Sequence, residues 1–349
     1  MATGIAKASP VVFIRAMAKA NVTSADVARL AKVSQSAVSR TFTKGASVSA
    51  DTRNRVLAAA RELGYRPKAL ARSLISGRSG IIGVVVAYLH NQFYPKVIEQ
   101  LSRALQDRGY HTLLFMTDPG DQDGVVQEIL QYQVEAVVMA SAHLSSSLAQ
   151  ECADNGIPIV MFNRYVSSSP ASSVTSDNVE GGYLVGRYLA ETGHKRIAFI
   201  AGFEDASTSR DREAGFYKGL AENGLACFAR KVGAYRADLA AEVTRELFAQ
   251  EQKPDAIFVA NDHMAFAVMD VIRGELGLRV PEDVSVVGYD DVPQASWQAY
   301  DLTTVEQPTQ PMVDATLSIL EEQLENREIT PRAAVLPARL ILRGSSAKR

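Results

Sequence analysis

The sequence contains few cysteines and no long apolar run, and both absences restrict what the chain can be. Only Cys152 and Cys227 occur among 349 residues, and neither has a CxxC or Cys/His spacing around it. A disulfide framework or a structural zinc site is therefore not expected. The longest apolar runs fall far short of the roughly 20 residues that a membrane-spanning helix needs. Arg15 ends the apolar run 11–14 too early for a secretory leader. These features predict a protein of the reducing cytoplasm with no membrane partner.

The signature motifs of common enzyme classes are also absent. The sequence has no GxGxxG, GxxxxGK[ST], HExxH or GxSxG pattern. Its histidines are scattered, at positions 90, 111, 143, 194 and 263, and a lone histidine is usually a surface or hydrogen-bonded residue. We therefore predict no catalytic residue, no metal site and no cofactor, and the chain is not expected to be an enzyme.

Positive charge is concentrated at the N-terminal end. The net charge is −2, yet residues 1–80 contain 14 Lys and Arg against 3 Asp and Glu, whereas the remainder contains 23 against 36. A basic end on an acidic body is typical of a protein that binds a polyanion. A basic tail that only aids solubility is the alternative at this point. The length and the hydrophobic content of 47% predict more than one domain.

A compact unit of three short helices is predicted at 21–66, after a flexible arm at 1–20. Ser24 and Ser34 are expected to cap the first two helices, because serine oxygens accept the free N–H groups of a first turn. The third helix is expected to start near Ser49. The inner face of the first helix is predicted to consist of Val27, Leu30 and Ala31. The third helix is expected to end at a glycine, and the three helices together to form a small core.

The second helix of this unit, predicted at 35–42, has two different faces. Its inner arc is predicted to hold Ala37, Val38, Thr41 and Phe42. Its outer arc is predicted to hold Gln35, Ser36, Ser39 and Arg40. A helix, a tight turn and a second helix with a polar outer face fit the major groove of DNA. Gln35 can pair with adenine and Arg40 with guanine, while Ser39 and Thr23 suit phosphates. The alternative is an ordinary amphipathic helix, which is polar outside in any protein.

Beyond residue 80, apolar strands alternate with helices long enough for parallel crossovers. Strands are predicted at 81–87, 111–116, 136–140, 158–162, 196–201, 255–259 and 285–289. Glycines lie where the intervening helices should end, at 109, 156, 193, 224 and 277. The predicted fold class is an all-α helix-turn-helix headpiece followed by a two-lobed α/β domain with parallel sheets.

Polar and aromatic residues directly follow several of these strands. Ligands of open parallel sheets bind beyond the carboxyl ends of the strands. Asn163 and Arg164 follow one strand, Asn261 and Asp262 another, and Phe93, Tyr94 and Asp290 have similar positions. Aromatic rings can stack on a ligand while Arg, Asn and Asp bind its polar groups. Asp262 has an alternative role as the cap of the next helix.

The segment 22–40, VTSADVARLAKVSQSAVSR, closely resembles the headpiece of the lactose-repressor (LacI/GalR) family. The similarity continues through Leu63-Gly64-Tyr65 and Pro67. In the body it extends to about Leu342, through such pairs as Asn261-Asp262, Gly288-Tyr289 and Thr303-Thr304. The resemblance implies a body like that of periplasmic sugar-binding proteins, with an effector between two lobes. The chain is expected to be a transcriptional regulator, and in particular a repressor.

The resemblance also implies how the protein binds DNA. A hinge helix at 68–74, within a linker at 67–79, would place Leu74 in the central minor-groove step with Ala71 beside it. An ordinary core role for Leu74 is the alternative. Two protomers would form a homodimer on a pseudo-palindromic operator, with helix 95–105 as a dimer surface. Ala37 replaces the usual threonine, which leaves operator preference open. No heptads follow Leu342, so a tetramerising coiled-coil tail is not expected.

For the effector, matching positions implies contacts at Phe93, Tyr94, Arg212, Tyr235, Asn261, Asp290 and Gln307, to which Arg164 is added as a partner for an anion. Each could instead be structural. Ala206 replaces a polar contact of some relatives, so a sugar, a sugar acid and an aromatic acid all remain open. The effector domain is predicted at 80–349, with lobes at 80–178 plus 308–328 and at 179–307 plus 329–342.

Two other classes of function are weighed against this one. A transport-type binding protein would have the same body, but it should begin with a cleavable leader and not need a headpiece. A sugar-processing enzyme would need a carboxylate pair or a phosphate loop. Neither expectation fits the sequence.

Overall fold

The computed structural model describes residues 22–43, 45–66, 78–117, 122–140, 145–166, 169–326 and 329–347. The chain divides into two compact units, Met1–Arg78 and Ser79–Arg349, and each is described by itself. The arm predicted at 1–20 lies outside the described residues, as do Ala71 and Leu74 of the predicted hinge.

Three helices form the N-terminal unit: α1 (Ser24–Ala31), α2 (Gln35–Phe42) and α3 (Ala50–Leu63). Their small core consists of Val27, Ala28, Ala31, Val38, Val56, Ala59 and Ala60. Leu30, predicted to face inward, is instead 42% exposed. Val27, Ala28 and Ala31 share one arc of α1, and Leu30 points roughly 100° away from its centre. Ala28 therefore takes the inward position.

Capping residues determine where these helices begin. Thr23, and not the predicted Ser24, is the N-cap of α1, because Asp26 stands three residues after Thr23. The Thr23 Oγ1 atom accepts the backbone N–H of Asp26, and the Asp26 carboxylate accepts the backbone N–H of Thr23. Ser34 caps α2 as predicted, and α3 starts next to Ser49, which is its N-cap.

The second unit alternates strands and helices. Its strands are β1 (Ile81–Val86), β2 (His111–Met116), β3 (Ala136–Ala140), β4 (Ile159–Phe162), β5 (Ser172–Ser176), β6 (Ile197–Ala201), β7 (Ala229–Val232), β8 (Ala256–Val259), β9 (Ser285–Val287), β10 (Thr304–Glu306), β11 (Ala333–Leu336) and β12 (Arg339–Ile341). Its helices are α4 (Phe93–Asp107), α5 (Gln122–Leu130), α6 (Ser146–Asp154), α7 (Asn178–Glu191), α8 (Ser207–Ala221), α9 (Ala237–Ala249), α10 (Asp262–Asp270) and α11 (Thr309–Asn326). A π-helical turn, Val271–Glu275, follows α10.

These elements form two parallel sheets, each with helices packed on it. The first sheet has the order β11-β5-β4-β3-β1-β2, and the second has the order β7-β6-β8-β9. We call the sheets with their helices the first lobe and the second lobe. A short antiparallel pair, β10 and β12, lies beside the second sheet. The second-lobe core centres on the rings of Phe199, Phe216 and Phe258, whose centroids are 5.2 to 5.5 Å apart.

The seven predicted strands are confirmed to within two residues at each end. Two differences stand out. The strand β5 was not predicted, because its sequence SSVTS is polar, although most of its residues are buried. The strand β11 pairs with β5 in the first sheet, whereas the predicted lobe boundaries place all of 329–342 in the second lobe. Of the two strands in this range, β12 lies with the second lobe because it pairs with β10. The strand β11 lies in the first lobe because it pairs with β5 at the edge of the first sheet.

Among the described residues, no helix is both long and apolar enough to cross a membrane. Within the same part of the chain, no group of three or more His, Cys, Asp or Glu side chains is placed to hold a metal ion.

Candidate functional site

The outer face of α2 is a polar surface open to solvent. Four side chains of this face are exposed: Gln35, Ser36, Ser39 and Arg40. On the opposite side, Val38 and Thr41 are buried. The predicted division of α2 into two faces is therefore confirmed, and DNA contacts by the outer face remain a prediction.

The rest of the N-terminal unit holds this face in place. Lys32, in the left-handed conformation, ends α1 and starts the tight turn into α2. Two guanidinium groups of α3 donate to carbonyl oxygens at the ends of the other helices. Arg53 Nη1 lies 3.0 Å from the Thr41 oxygen, and Arg55 Nη1 lies 3.3 Å from the Ala31 oxygen. The orientation of α2 is thus fixed by hydrogen bonds as well as by the core.

Three of the predicted DNA contacts already have local partners. The Ser36 hydroxyl lies 2.9 Å from the Ser34 hydroxyl. Thr23 is exposed, but its hydroxyl donates to Asp26 Oδ2 over 2.7 Å as part of the α1 cap. Arg40 Nε donates to the Ser36 carbonyl over 3.4 Å, a long bond that leaves the other guanidinium donors free. Thr23 can therefore meet a phosphate mainly by rearranging its cap, while Arg40 can reach outward readily.

The second unit contains a cluster of buried polar and aromatic side chains, to which both lobes contribute and which we call the cleft. All eight predicted effector residues are at most 8% exposed: Phe93, Tyr94, Arg164, Arg212, Tyr235, Asn261, Asp290 and Gln307. A chain of rings crosses from one lobe to the other. The ring centroid of Tyr88, in the first lobe, lies 5.9 Å from that of Tyr94 and 6.4 Å from that of Phe203 in the second lobe. The centroids of Phe203 and Tyr235 are 5.7 Å apart.

Arg212 organises the second-lobe side of the cleft. Its Nε donates to Asn178 Oδ1 over 2.8 Å, and its Nη1 donates to the Ala260 carbonyl over 2.6 Å. Its Nη2 lies 3.5 Å from Asp290 Oδ1, and its guanidinium lies 3.6 Å from the centroid of the Tyr289 ring. With 2% of its surface exposed, Arg212 is a buried cation held in one orientation by polar partners and an aromatic face.

Close helix packing makes these contacts possible. A Cβ atom built on Gly182 of α7 would lie 2.0 Å from the Arg212 carbonyl oxygen, and one on Gly215 of α8 would lie 1.8 Å from the Val179 oxygen. Larger residues at these positions would push α7 and α8 apart. The glycines therefore let Arg212 on α8 reach Asn178 on α7.

Asp290 is the carboxylate of the cleft. Burial raises its pKa to about 6, although Arg212, Gln307 and Asn91 each favour the charged form. Gln307 Nε2 donates to Asp290 over 2.7 Å, and Gln307 Oε1 accepts from Ser176 Oγ over 2.8 Å. At neutral pH Asp290 is therefore mostly ionised and partly balances Arg212.

Asp262 has a structural role, but it is not the cap of the next helix, which was its alternative role. Asn261 caps α10, since its Oδ1 accepts the backbone N–H of Met264 over 3.0 Å. Asp262 accepts instead from the Val292 N–H and from Thr304 Oγ1. Burial and the charge of Asp290 raise the pKa of Asp262 well above its ordinary value. Asp262 thereby joins the start of α10 to the loop after β9 and to the start of β10.

Several polar atoms of the cleft have no hydrogen-bond partner within the described protein. They come from both lobes: Asn163 Oδ1, Arg164 Nε, Arg212 Nη2 and Asn261 Nδ2. A buried polar group without a partner costs about 1–3 kcal/mol. Four such atoms around one cleft are the feature expected of a site whose occupant supplies hydrogen bonds.

Backbone strain occurs at the same place. Asn163, Tyr235 and Asp290 have φ values of 63°, 54° and 121°, which are unfavourable for residues with a Cβ atom. Such strain is retained where the surrounding structure holds it, and it often accompanies binding sites. The conformation directs these three side chains to the cleft.

Sequence reasoning missed part of the aromatic lining. Tyr88 and Phe203 lie in loops that follow β1 and β6, and position after a strand was the available signal for both. Asn178 and Ser176 were missed because each acts through another residue, Arg212 or Gln307.

An exposed helix-turn-helix face in one unit and a ligand-type cleft in the other define a class of protein, the DNA-binding regulators that respond to a small molecule. Comparison with known proteins agrees with this. Residues 23–68 match the bacterial regulatory proteins of the lacI family, and residues 187–346 match a periplasmic binding protein-like domain.

Individual relatives cover nearly the whole chain. The HTH-type transcriptional repressor PurR of Vibrio parahaemolyticus serotype O3:K6 (strain RIMD 2210633) is 32% identical over 330 residues, which are 93% of this chain and 98% of that protein. The crystal structure of the Lac repressor dimer bound to operator and the anti-inducer ONPF has a TM-score of 0.84 at 28% identity and covers 93% of this chain and 99% of that one. The complex of the transcriptional regulator CelR with cellobiose has a TM-score of 0.70 at 31% identity, with the same coverage of 93% and 99%.

The chain therefore belongs to the lacI family of bacterial regulatory proteins. It is a sequence-specific DNA-binding transcriptional regulator whose affinity for its operator is controlled by a small effector. Its relatives are transcriptional repressors, so the chain is a regulator and not an enzyme.

Proposed function

We propose that the protein represses transcription as a homodimer on a pseudo-palindromic operator. Gln35 and Arg40 would contact base edges, Ser36 would lie beside them, and Thr23 and Ser39 would bind phosphates. The exposed outer face of α2 supports this assignment, since its donors and acceptors are open to solvent. The Lac repressor, which is similar in fold, is a dimer on its operator. Two-fold symmetry of the protein would be matched by two inverted half-sites.

The hinge and the dimer surface complete this proposal. Ala71 and Leu74 would enter the minor groove at the centre of the operator. Helix 95–105 of the first lobe, which lies within α4, would contribute to the dimer. Because operator DNA is the partner, the protein would act in the cytoplasm.

We further propose that the effector binds in the cleft between the lobes, against Phe93, Tyr94, Arg164, Arg212, Tyr235, Asn261, Asp290 and Gln307. The observation that carries this is the set of four buried polar atoms without partners, two from each lobe. A ligand that forms hydrogen bonds with the atoms of both lobes would hold the lobes at one angle and so change the spacing of the two headpieces. A sugar, as in the complex of CelR with cellobiose, or a sugar acid would fit such a lining.

Selection of binding duplexes from a random library tests the DNA part. The full-length protein should enrich sequences with two inverted half-sites, and its affinity for them should fall steeply with salt because phosphate contacts release counterions. A variant with Gln250→Ala and Lys253→Ala, exposed residues of the second lobe, serves as the control and should enrich the same sequences. Enrichment of a single asymmetric site, or affinity without a salt dependence, would contradict the proposal.

A further inference from the structure

The strongest unexplained feature of the cleft is the charge of Arg164. Arg164 follows β4 of the first lobe in sequence, and it is only 4% exposed. Its Nη2 donates to the Tyr88 hydroxyl over 3.2 Å, while its Nε has no partner. Among the described residues, no carboxylate forms an ion pair with it. This is a buried cation with one neutral hydrogen-bond partner.

Arg212 is different, although it lies in the same cleft. Asp290 stands 3.5 Å from it, and Asn178 and the Ala260 carbonyl accept two of its donors. Arg164 borders the second lobe through Tyr88, whose hydroxyl accepts from Arg164 and whose ring centroid lies 6.4 Å from that of Phe203. Arg212 and Asp290 roughly balance each other, and the charge of Arg164 is left over. A buried charge is costly unless it is paired.

We propose that the effector is a small carboxylate with hydroxyl groups on a ring, as in a sugar acid, and that its carboxylate pairs with the Nε and Nη2 edge of Arg164. This proposal rests on the effector cleft proposed above and specifies what the cleft binds. A planar carboxylate matches the two parallel donors of a guanidinium edge.

The remaining lining determines the rest of the ligand. A phosphate monoester carries a charge of about −1.5 to −2 at neutral pH and would leave excess negative charge buried, whereas a carboxylate balances one arginine. The rings of Tyr88, Phe203 and Tyr235 offer faces for a ring to stack on. Across the cleft, Asn261 Nδ2 has no hydrogen-bond partner, Arg212 Nη2 faces Asp290 at 3.5 Å, and Asp290 is an acceptor. These groups suit hydroxyl groups of a ligand.

The first test measures the protein without any ligand. Arg164→Met keeps the length of the side chain but removes its charge, so the melting temperature of the full-length protein should rise. Arg212→Met is the matched control. Its melting temperature should fall, because the substitution removes the ion pair and the hydrogen bonds of Arg212. If Arg164→Met lowers the melting temperature as Arg212→Met does, Arg164 is already compensated and the proposal is wrong.

The second test uses matched probes: D-glucuronate against D-glucose, D-galacturonate against D-galactose, para-hydroxybenzoate against para-hydroxybenzyl alcohol, and one hexose monophosphate. By calorimetry, the carboxylate of a pair should bind about tenfold or more tightly than its neutral partner. Arg164→Met should weaken binding of the carboxylate far more than binding of its neutral partner, so that the preference is lost. Tighter binding of a neutral compound or of the phosphate would overturn the proposal. If no probe binds, the melting temperatures of the first test decide the matter.

Failure of this inference is distinguishable from failure of the proposed function. A neutral effector that binds the cleft and changes operator affinity would refute the carboxylate and leave the regulator intact. A carboxylate that binds the cleft but leaves operator affinity unchanged would support the ligand class and contradict the proposed control of DNA binding.

Discussion

Replacing Arg212 by methionine tests whether the cleft is organised as described. The substitution leaves a side chain of similar length, yet it removes the donors to Asn178 and the Ala260 carbonyl and the cation beside Asp290. It also removes the guanidinium that lies 3.6 Å from the Tyr289 ring centroid. Two buried acceptors then lose their donor, and Asp290 loses the positive charge beside it.

The expected magnitude follows from burial. Removing one partner of a buried ion pair typically destabilises a protein by about 3–5 kcal/mol, because the other charge is left unpaired. In a unit of this size, such a loss lowers the melting temperature by roughly 10 °C. Arg245→Met is the control, since Arg245 pairs with Glu275 at the surface and its side chain is 50% exposed. Little change is expected from it.

The destabilisation should also depend on pH. In the folded protein the pKa of Asp290 is about 6, above the ordinary value of 3.8, and Arg212 lowers it. Below that pKa, Asp290 is protonated and uncharged, so removing Arg212 costs little electrostatic stabilisation at this residue. Above that pKa, the variant leaves a buried, charged carboxylate without its neighbouring cation. Arg212→Met should therefore lose more stability relative to the wild-type protein at pH 8 than at pH 5.

Urea unfolding followed by circular dichroism at both pH values measures this. The double variant Arg212→Met with Asp290→Asn should recover part of the loss at pH 8, since no charge is then stranded. A loss below about 1 kcal/mol, or an equal loss at both pH values, would refute the account of the cleft.

Two further predictions concern packing and capping. Gly215→Ala should destabilise the second unit by about 3 kcal/mol or more, because its Cβ would lie 1.8 Å from the Val179 oxygen. Gly274→Ala meets no atom within 4 Å and should stabilise it by about 0.5–1 kcal/mol. Equal melting temperatures of these two variants would contradict the packing of α7 against α8. Ser34→Ala should destabilise the headpiece by about 1 kcal/mol, while Ser34→Gly should cost only a few tenths, because the Ser34 oxygen accepts the Ala37 N–H. Thermal melts that rank Gly below Ala at position 34 would contradict the cap.

Much of the fold could be predicted because its strands are apolar and its turns contain glycine. Buried strands such as β3, with the sequence AVVMA, have no competing interpretation. The strand β5 was missed because buried Ser172 and Ser176 are satisfied by Gln323 and Gln307, which are distant in sequence. Local composition cannot reveal such partners.

The cleft was predictable where it depends on strand ends. Asn163, Asn261 and Asp290 follow strands directly, and topology brings them to one edge. Phe203 also follows a strand, but its contact with Tyr88 of the other lobe depends on the folded arrangement and could not be predicted from position alone. The missing partner of Arg164 was equally hidden, since charge balance is a property of the folded cleft and not of the local sequence.

The central claim is that the outer face of α2 distinguishes one DNA sequence from another. The most direct measurement is the ratio of Kd values for the selected operator and for a scrambled duplex, at one salt concentration. Gln35→Ala with Arg40→Ala should reduce this ratio by about tenfold or more, since a base contact of this kind contributes about 1–3 kcal/mol of discrimination. The control, Gln250→Ala with Lys253→Ala, should leave it unchanged. An undiminished ratio in the first variant would show that this face does not read the operator.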